Sequence, residues 1–159
     1  MSVSIRGSFQ RSVQLVRDFY GSGDLSGYVV TSKALETTGR LADALATPGS
    51  TRAWAVSGPY GGGKSSYALF ASRLLQRDSS ALEPLAAADA GLAERFGKVS
   101  PGAFCPVLVV GSRTPIVTAL AAGLVRAMES FAAGGPEELG EQAKFEERAR
   151  ALAAEARAA

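Results

Sequence analysis

Between positions 58 and 66 the chain reads GPYGGGKSS. Gly58, Gly63, Lys64 and Ser65 stand at the spacing G-x-x-x-x-G-K-[ST], with Pro59, Tyr60, Gly61 and Gly62 between the two outer glycines. These residue types suit the wrapping of a polyphosphate. Several negative charges must be enclosed at close range, so successive backbone N–H groups must turn inward, through angles that glycine adopts cheaply. Gly61, Gly62 and Gly63 supply that freedom and leave room for the phosphates. Lys64 can reach the β- and γ-phosphates and neutralise the charge on which catalysis would act, and Ser65 can offer its hydroxyl to Mg²⁺. Tyr60 can cover the ligand or simply stand in solvent.

Such a loop works only if neighbouring elements hold it. Arg52 to Ser57, RAWAVS, reads as a buried strand, and Lys64 to Arg77 as a helix with Tyr67, Phe70, Ala71, Leu74 and Leu75 on its inner side. A helix starting at Lys64 would aim its positive end at the phosphates. Upstream, Phe9, Val13, Val16 and Tyr20 predict a short helix over 8–20, followed by a loop and a short extended piece, Gly27-Tyr28-Val29-Val30. Thr31 or Ser32 can cap a second helix, carrying Leu35, Thr38, Leu41 and Leu45 on one face and stopping at TPGS. Downstream, 79–96 predicts one helix and Pro106 to Val110 a buried parallel strand. A long apolar helix then starts at Thr114 or Pro115 and ends near Gly134. From Pro136 onward Phe145, Ala149, Leu152 and Ala156 form a narrow apolar stripe among charges. This divides the chain into an N-terminal helical extension (1–50), a core (51–135) and a charged amphipathic helix (136–159). Trp54 and Cys105 read as core residues. Tyr28 reads as packing on the first helix, with stacking on a base as the alternative.

Composition removes several chemistries. The 159 residues include no histidine and one cysteine, Cys105, so Ser-His-Asp and Cys-His catalysis, thiolate metal clusters and internal disulfides are excluded within this chain. The net charge of +2 is spread over scattered residues and gives no indication of a nucleic-acid surface. The most apolar stretch, between Arg113 and Arg126, is shorter than the roughly 20 residues a membrane span needs. The start of the chain lacks the apolar core of a signal peptide, so the expected location is the cytoplasm.

At Gly58 to Ser66 the chain resembles the P-loop NTPase superfamily and its Walker A loop. The resemblance implies a three-layer α/β/α core with a mostly parallel sheet, of which this chain would supply part behind an N-terminal helical extension. It implies binding of ATP with Mg²⁺, and contact of Ser66 with the α-phosphate. The upstream block YVVTSKALETTGRLADAL lies where AAA+-like and STAND-like ATPases place an adenine-contacting linker, although their apolar-apolar-Gly-Arg signature is missing. AWAVSGPYGGGKSSYALF followed by PVLVVGSRTP is also similar to large bacterial ATPases of phage-exclusion defence systems. No acidic residue after Ser65 ends a strand-like apolar run, so a Walker B carboxylate is not evident, and no N-K-x-D reads guanine. The resemblance therefore implies the N-terminal part of a longer ATPase, completed by further chain, another subunit or a homo-oligomer. Arg113, past the second strand, could face the phosphates or be a solvated loop residue. A small-molecule kinase and a nucleotide-sensing regulatory module without turnover are the alternatives.

Overall fold

Capping side chains and short apolar stripes set the helices of this chain. The computed structural model describes residues 13–21, 25, 27–50, 52–99, 104–111, 113–132, 151 and 154. It divides into two units, Met1–Ala103 and Phe104–Ala159.

In the first unit, α1 (Leu15–Tyr20) is closed at its start by Asp18, whose buried carboxylate accepts the Gln14 N–H at 2.8 Å and the Arg17 Nε–H at 3.1 Å. α2 (Ser32–Ala46) begins where Thr31 accepts the Ala34 N–H at 3.2 Å. Its most buried positions are Ala34, Thr38, Ala42 and Ala44, so the small residues of this helix carry its closest packing, while Leu35, Leu41 and Leu45 are half-buried. α3 (Lys64–Leu75) buries Leu69, Phe70 and Leu74. It ends in a Schellman turn: the Asp78 N–H donates to Arg73 O and the Arg77 N–H to Leu74 O, both at 3.0 Å. Arg77 holds the left-handed position at φ 59°, where glycine is usual.

Asp78 then caps α4 (Ser79–Ala88) by accepting the Ser80 N–H at 2.9 Å. Asp89 caps α5 (Ala90–Gly97) through the Leu92 N–H at 2.9 Å. The single helix expected over 79–96 is thus two, because the Asp89 side chain offers the backbone a competing hydrogen bond. α1 packs on α3, α3 on α4, α4 on α5 and α5 on α2. Phe70, Leu74, Ala81, Leu85 and Phe96 form the driest part of this core. Each large side chain buried there contributes about 1.5–3 kcal/mol.

The second unit sets 104–111 against α6 (Ile116–Ala132). The two approach closely at Gly123, where an added Cβ would meet Val109 Cγ2 at 3.0 Å and the Leu108 carbonyl oxygen at 3.1 Å. Leu108, Ala121, Ala127 and Met128 are the buried hydrophobic residues described in this unit.

The expected sheet is absent. The described residues are 62% helix and contain no strand, which overturns the three-layer α/β/α reading with its parallel sheet. Arg52 to Ser57 and Pro106 to Val110, the two runs expected to be strands, pair with no ladder. A buried strand needs hydrogen-bonding neighbours and cover on both faces. Here Trp54 is 47% and Val56 51% exposed, and in the second run only Leu108 is buried while Val107 and Val110 face solvent. Trp54 and Cys105, read as core, are exposed. The first helix, expected over 8–20, begins at Leu15, with Val13 and Gln14 outside it. Residues 8–12, the stripe from Phe145 to Ala156 and the end of the apolar helix near Gly134 lie outside the described residues. Among the described residues no helix is long and apolar enough to cross a membrane.

Candidate functional site

The glycine loop turns twice before α3. The Gly62 N–H donates to Pro59 O at 3.2 Å, closing a tight turn whose third residue, Gly61, sits at φ 77°. Gly63 repeats that left-handed conformation (φ 77°, ψ 11°) as the N-cap of α3. A side chain at either position would be strained, which is why the sequence places glycine there. The first helical hydrogen bond runs from the Tyr67 N–H to Gly63 O at 2.8 Å. The N–H groups that precede it on the first turn have no acceptor within the helix and carry the positive end of its dipole.

Lys64 folds back over the loop. Its ammonium donates to Gly58 O at 2.9 Å and to Pro59 O at 2.7 Å, so the charge is held at the loop rather than extended into solvent.

The loop opens on a cleft of about 440 Å³ within the first unit. Gly58, Gly62, Gly63, Lys64 and Ser66 line it. So do Tyr28, Thr31, Lys33, Thr37 and Arg40, and Trp54 and Val56 add apolar surface. Of the residues singled out by sequence, Pro59, Tyr60, Gly61 and Ser65 belong to the loop but not to the cleft wall. Tyr60 stands wholly in solvent at the turn. Arg113, in the second unit, is exposed. A shallower hollow of about 420 Å³ shares Arg40 and Trp54 with the cleft but contains no loop residue.

Two tyrosines that line the cleft, Tyr28 and Tyr67, are held by buried neighbours. Tyr28 stacks on the fully buried Phe70, with ring centroids 4.5 Å apart and planes 24° apart. Its ring thus packs on α3. The Tyr67 hydroxyl lies 3.4 Å from the Thr38 hydroxyl, which is itself buried. Burial pushes the Tyr28 phenol up to about 12, with Tyr67 nearby adding to the effect. Burial also raises Tyr67, against an opposing hydrogen bond from Thr38. Both phenols therefore stay protonated at neutral pH and remain able to donate.

Charge on the walls has one sign. Lys33 and Arg40 both pair with Glu36, at 2.8 and 2.9 Å. These two bonds hold the exposed Glu36 carboxyl below its usual range. Among the described residues no carboxylate lines the cleft itself, whereas Lys33, Arg40 and Lys64 do. Nor do they contain a cluster of three or more acidic, cysteine or histidine side chains fit to hold a metal ion. Mg²⁺ suits such a site only as the companion of a bound polyphosphate, which would supply most of its oxygen ligands.

Sequence reasoning missed Lys33, Thr37, Arg40 and Trp54 as parts of this site. The first three were accessible: their spacing of four and three residues puts them on one face of α2, beside the buried Ala34–Thr38 stripe. No family model, curated protein or solved structure matches the chain, so the functional reading rests on the loop and its cleft.

Proposed function

We propose that residues 58–66 bind the triphosphate of ATP together with Mg²⁺, in the manner of a Walker A loop. The observation that carries this reading is the loop geometry. Two left-handed glycines, Gly61 and Gly63, deliver the chain into α3, so that Lys64, Ser66 and the helix N-terminus meet a cleft walled by cations. Helix N-termini and glycine-rich backbones bind anions by pointing N–H groups at them. Lys64 is the residue assigned to the β/γ-phosphates, where it would exchange its two carbonyl partners for a charged one. Ser65 and Ser66 offer hydroxyls for the metal and the α-phosphate.

Bound Mg²⁺ would neutralise phosphate charge. The chain's own part is to wrap the phosphates, place the Lys64 ammonium and keep Tyr28 and Tyr67 as neutral donors lining the cleft. A water-activating carboxylate is not among the described walls, and this favours binding of nucleotide by this chain over its hydrolysis. Turnover as part of a P-loop ATPase would then draw on a further segment, another subunit or a second copy, with an arginine from a neighbour as one such contribution. A nucleotide-sensing role without turnover rests on the same observation.

Isothermal calorimetry with Mg-ATP tests the reading. Lys64→Ala should weaken binding by about 2–3 kcal/mol, since it removes a charge-assisted contact. Equal affinity in the variant and the parent would remove Lys64 from the site.

A further inference from the structure

We infer that Tyr28 and Trp54 form the nucleoside side of the cleft and hold a purine ring while the loop holds the phosphates. The inference rests on the triphosphate reading above and assigns the part of the ligand that the loop does not reach.

The cleft is continuous from Lys64 and Ser66 to Tyr28 and Trp54. At about 440 Å³ it falls within the size range of small-molecule sites. Its aromatic lining has the character a base requires. Tyr28 is backed by the buried Phe70 at 4.5 Å and is thereby fixed as a flat, rigid surface. Trp54 leaves 47% of its surface in solvent beside the same cleft, although the indole is the largest apolar side chain available to the core. Its exposed face offers an area that a planar ligand can cover. Thr31 and Thr37 add hydroxyls, which donate or accept and so can meet the polar edge of a base or the hydroxyls of a sugar. A purine presents more stacking area than a pyrimidine, and base–aromatic stacking is sensitive to that overlap.

The test compares two ligands at one loop, Mg-ATP and Mg-tripolyphosphate. The second carries the phosphates without the nucleoside. Calorimetry on the whole chain should show ATP bound about ten- to a hundredfold more tightly than tripolyphosphate. Trp54→Ala should bring ATP close to the affinity of tripolyphosphate, and Trp54→Phe should recover most of the difference. Trp54 is the one tryptophan of the chain, so its fluorescence should respond to ATP and much less to tripolyphosphate. Because Trp54 is half in solvent, its replacement should leave the helical circular-dichroism melt in place. Tyr28→Leu is a second variant that should narrow the same gap. Equal binding of ATP and tripolyphosphate by the parent, or an undiminished gap in Trp54→Ala, would overturn the inference and leave the loop reading standing. Failure of both ligands to bind would overturn the loop reading and this inference together.

Discussion

The two ends of α3 are built on opposite terms. At its C-terminal end Phe70 and Leu74 are fully buried. There Arg73 donates to Phe19 O at 3.1 Å, lies 5.3 Å over the Phe19 ring and pairs with Asp78 at 2.5 Å. At its N-terminal end the helix emerges from a run of exposed residues, 52–63, shaped by glycine backbone and two lysine hydrogen bonds. One end is fixed by apolar burial and a guanidinium bonded to Asp78 and Phe19, the other by backbone conformation and the Lys64 bonds. The packed end holds the helix axis, and the open end leaves donors available to a ligand. A binding loop needs both, because a site built on a rigid element keeps its geometry while its own backbone groups stay uncommitted.

Substitutions at the two ends should therefore fail in different ways. Phe70→Ala at the packed end removes a fully buried ring and the backing of Tyr28, and should cost about 3–5 kcal/mol in urea unfolding. A loss below 1 kcal/mol would mean that this end is not the anchor. At the open end, Gly63→Ala places a side chain in the left-handed region, at a cost of about 1–2 kcal/mol. There the effect should be read in Mg-ATP affinity, about a tenfold loss, with a fall in melting temperature of a few degrees that is smaller than that of Phe70→Ala. A variant that melts far earlier but binds normally would reverse the comparison.

Acid sharpens the contrast. Burial by itself would raise the Asp78 carboxyl, but hydrogen bonds from Ser80 and Arg73 outweigh it and hold the group below the usual carboxylate range. A carboxyl lowered on folding adds stability above its unfolded value, near 4, and that contribution disappears as pH falls through the folded value. Asp78→Asn should thus flatten the acid limb of the stability curve below about pH 4, by no more than about 1 kcal/mol for a group so partly exposed. An acid limb identical to the parent's would show that Asp78 contributes nothing. The smallest effect should come from Arg77→Gly. It relieves a left-handed non-glycine residue at the Schellman turn and should raise stability by about 0.5–1 kcal/mol in thermal melts. A decrease would mean that the arginine side chain outweighs the backbone strain.

Local signals in the sequence place most of these elements. The Thr31 cap, the start of α3 at Lys64, the turn at Pro48-Gly49 and the buried Phe70 and Leu74 follow from side chains acting within a few residues of themselves. The failures share a physical cause. RAWAVS and PVLVV have the composition of strands, but a strand exists only with a partner, and no residue within either run specifies one. The break at Asp89 was overlooked because an alanine-rich run on both sides favours helix, while a single carboxylate decides where the backbone changes direction. Within the candidate site the glycine loop was evident from spacing. The rest of the cleft was less so, because Trp54 resembles a core residue until its surroundings leave it exposed, and because the shared face of Lys33 and Arg40, readable from spacing, is also what an ordinary solvated helix face shows.

Asp78 has a consequence for the order in which this unit comes apart. Its backbone N–H closes the end of α3, one carboxylate oxygen starts α4, and the other holds the Arg73 guanidinium that reaches the last carbonyls of α1. Three helix termini thus meet at one residue. Fraying of any of them releases a bond shared with its neighbours, so α1, the second half of α3 and the first turn of α4 should open together, with similar amide protection in hydrogen exchange. The glycine loop lies outside that unit. Its rearrangement around an incoming ligand should therefore leave the bonds of that corner intact.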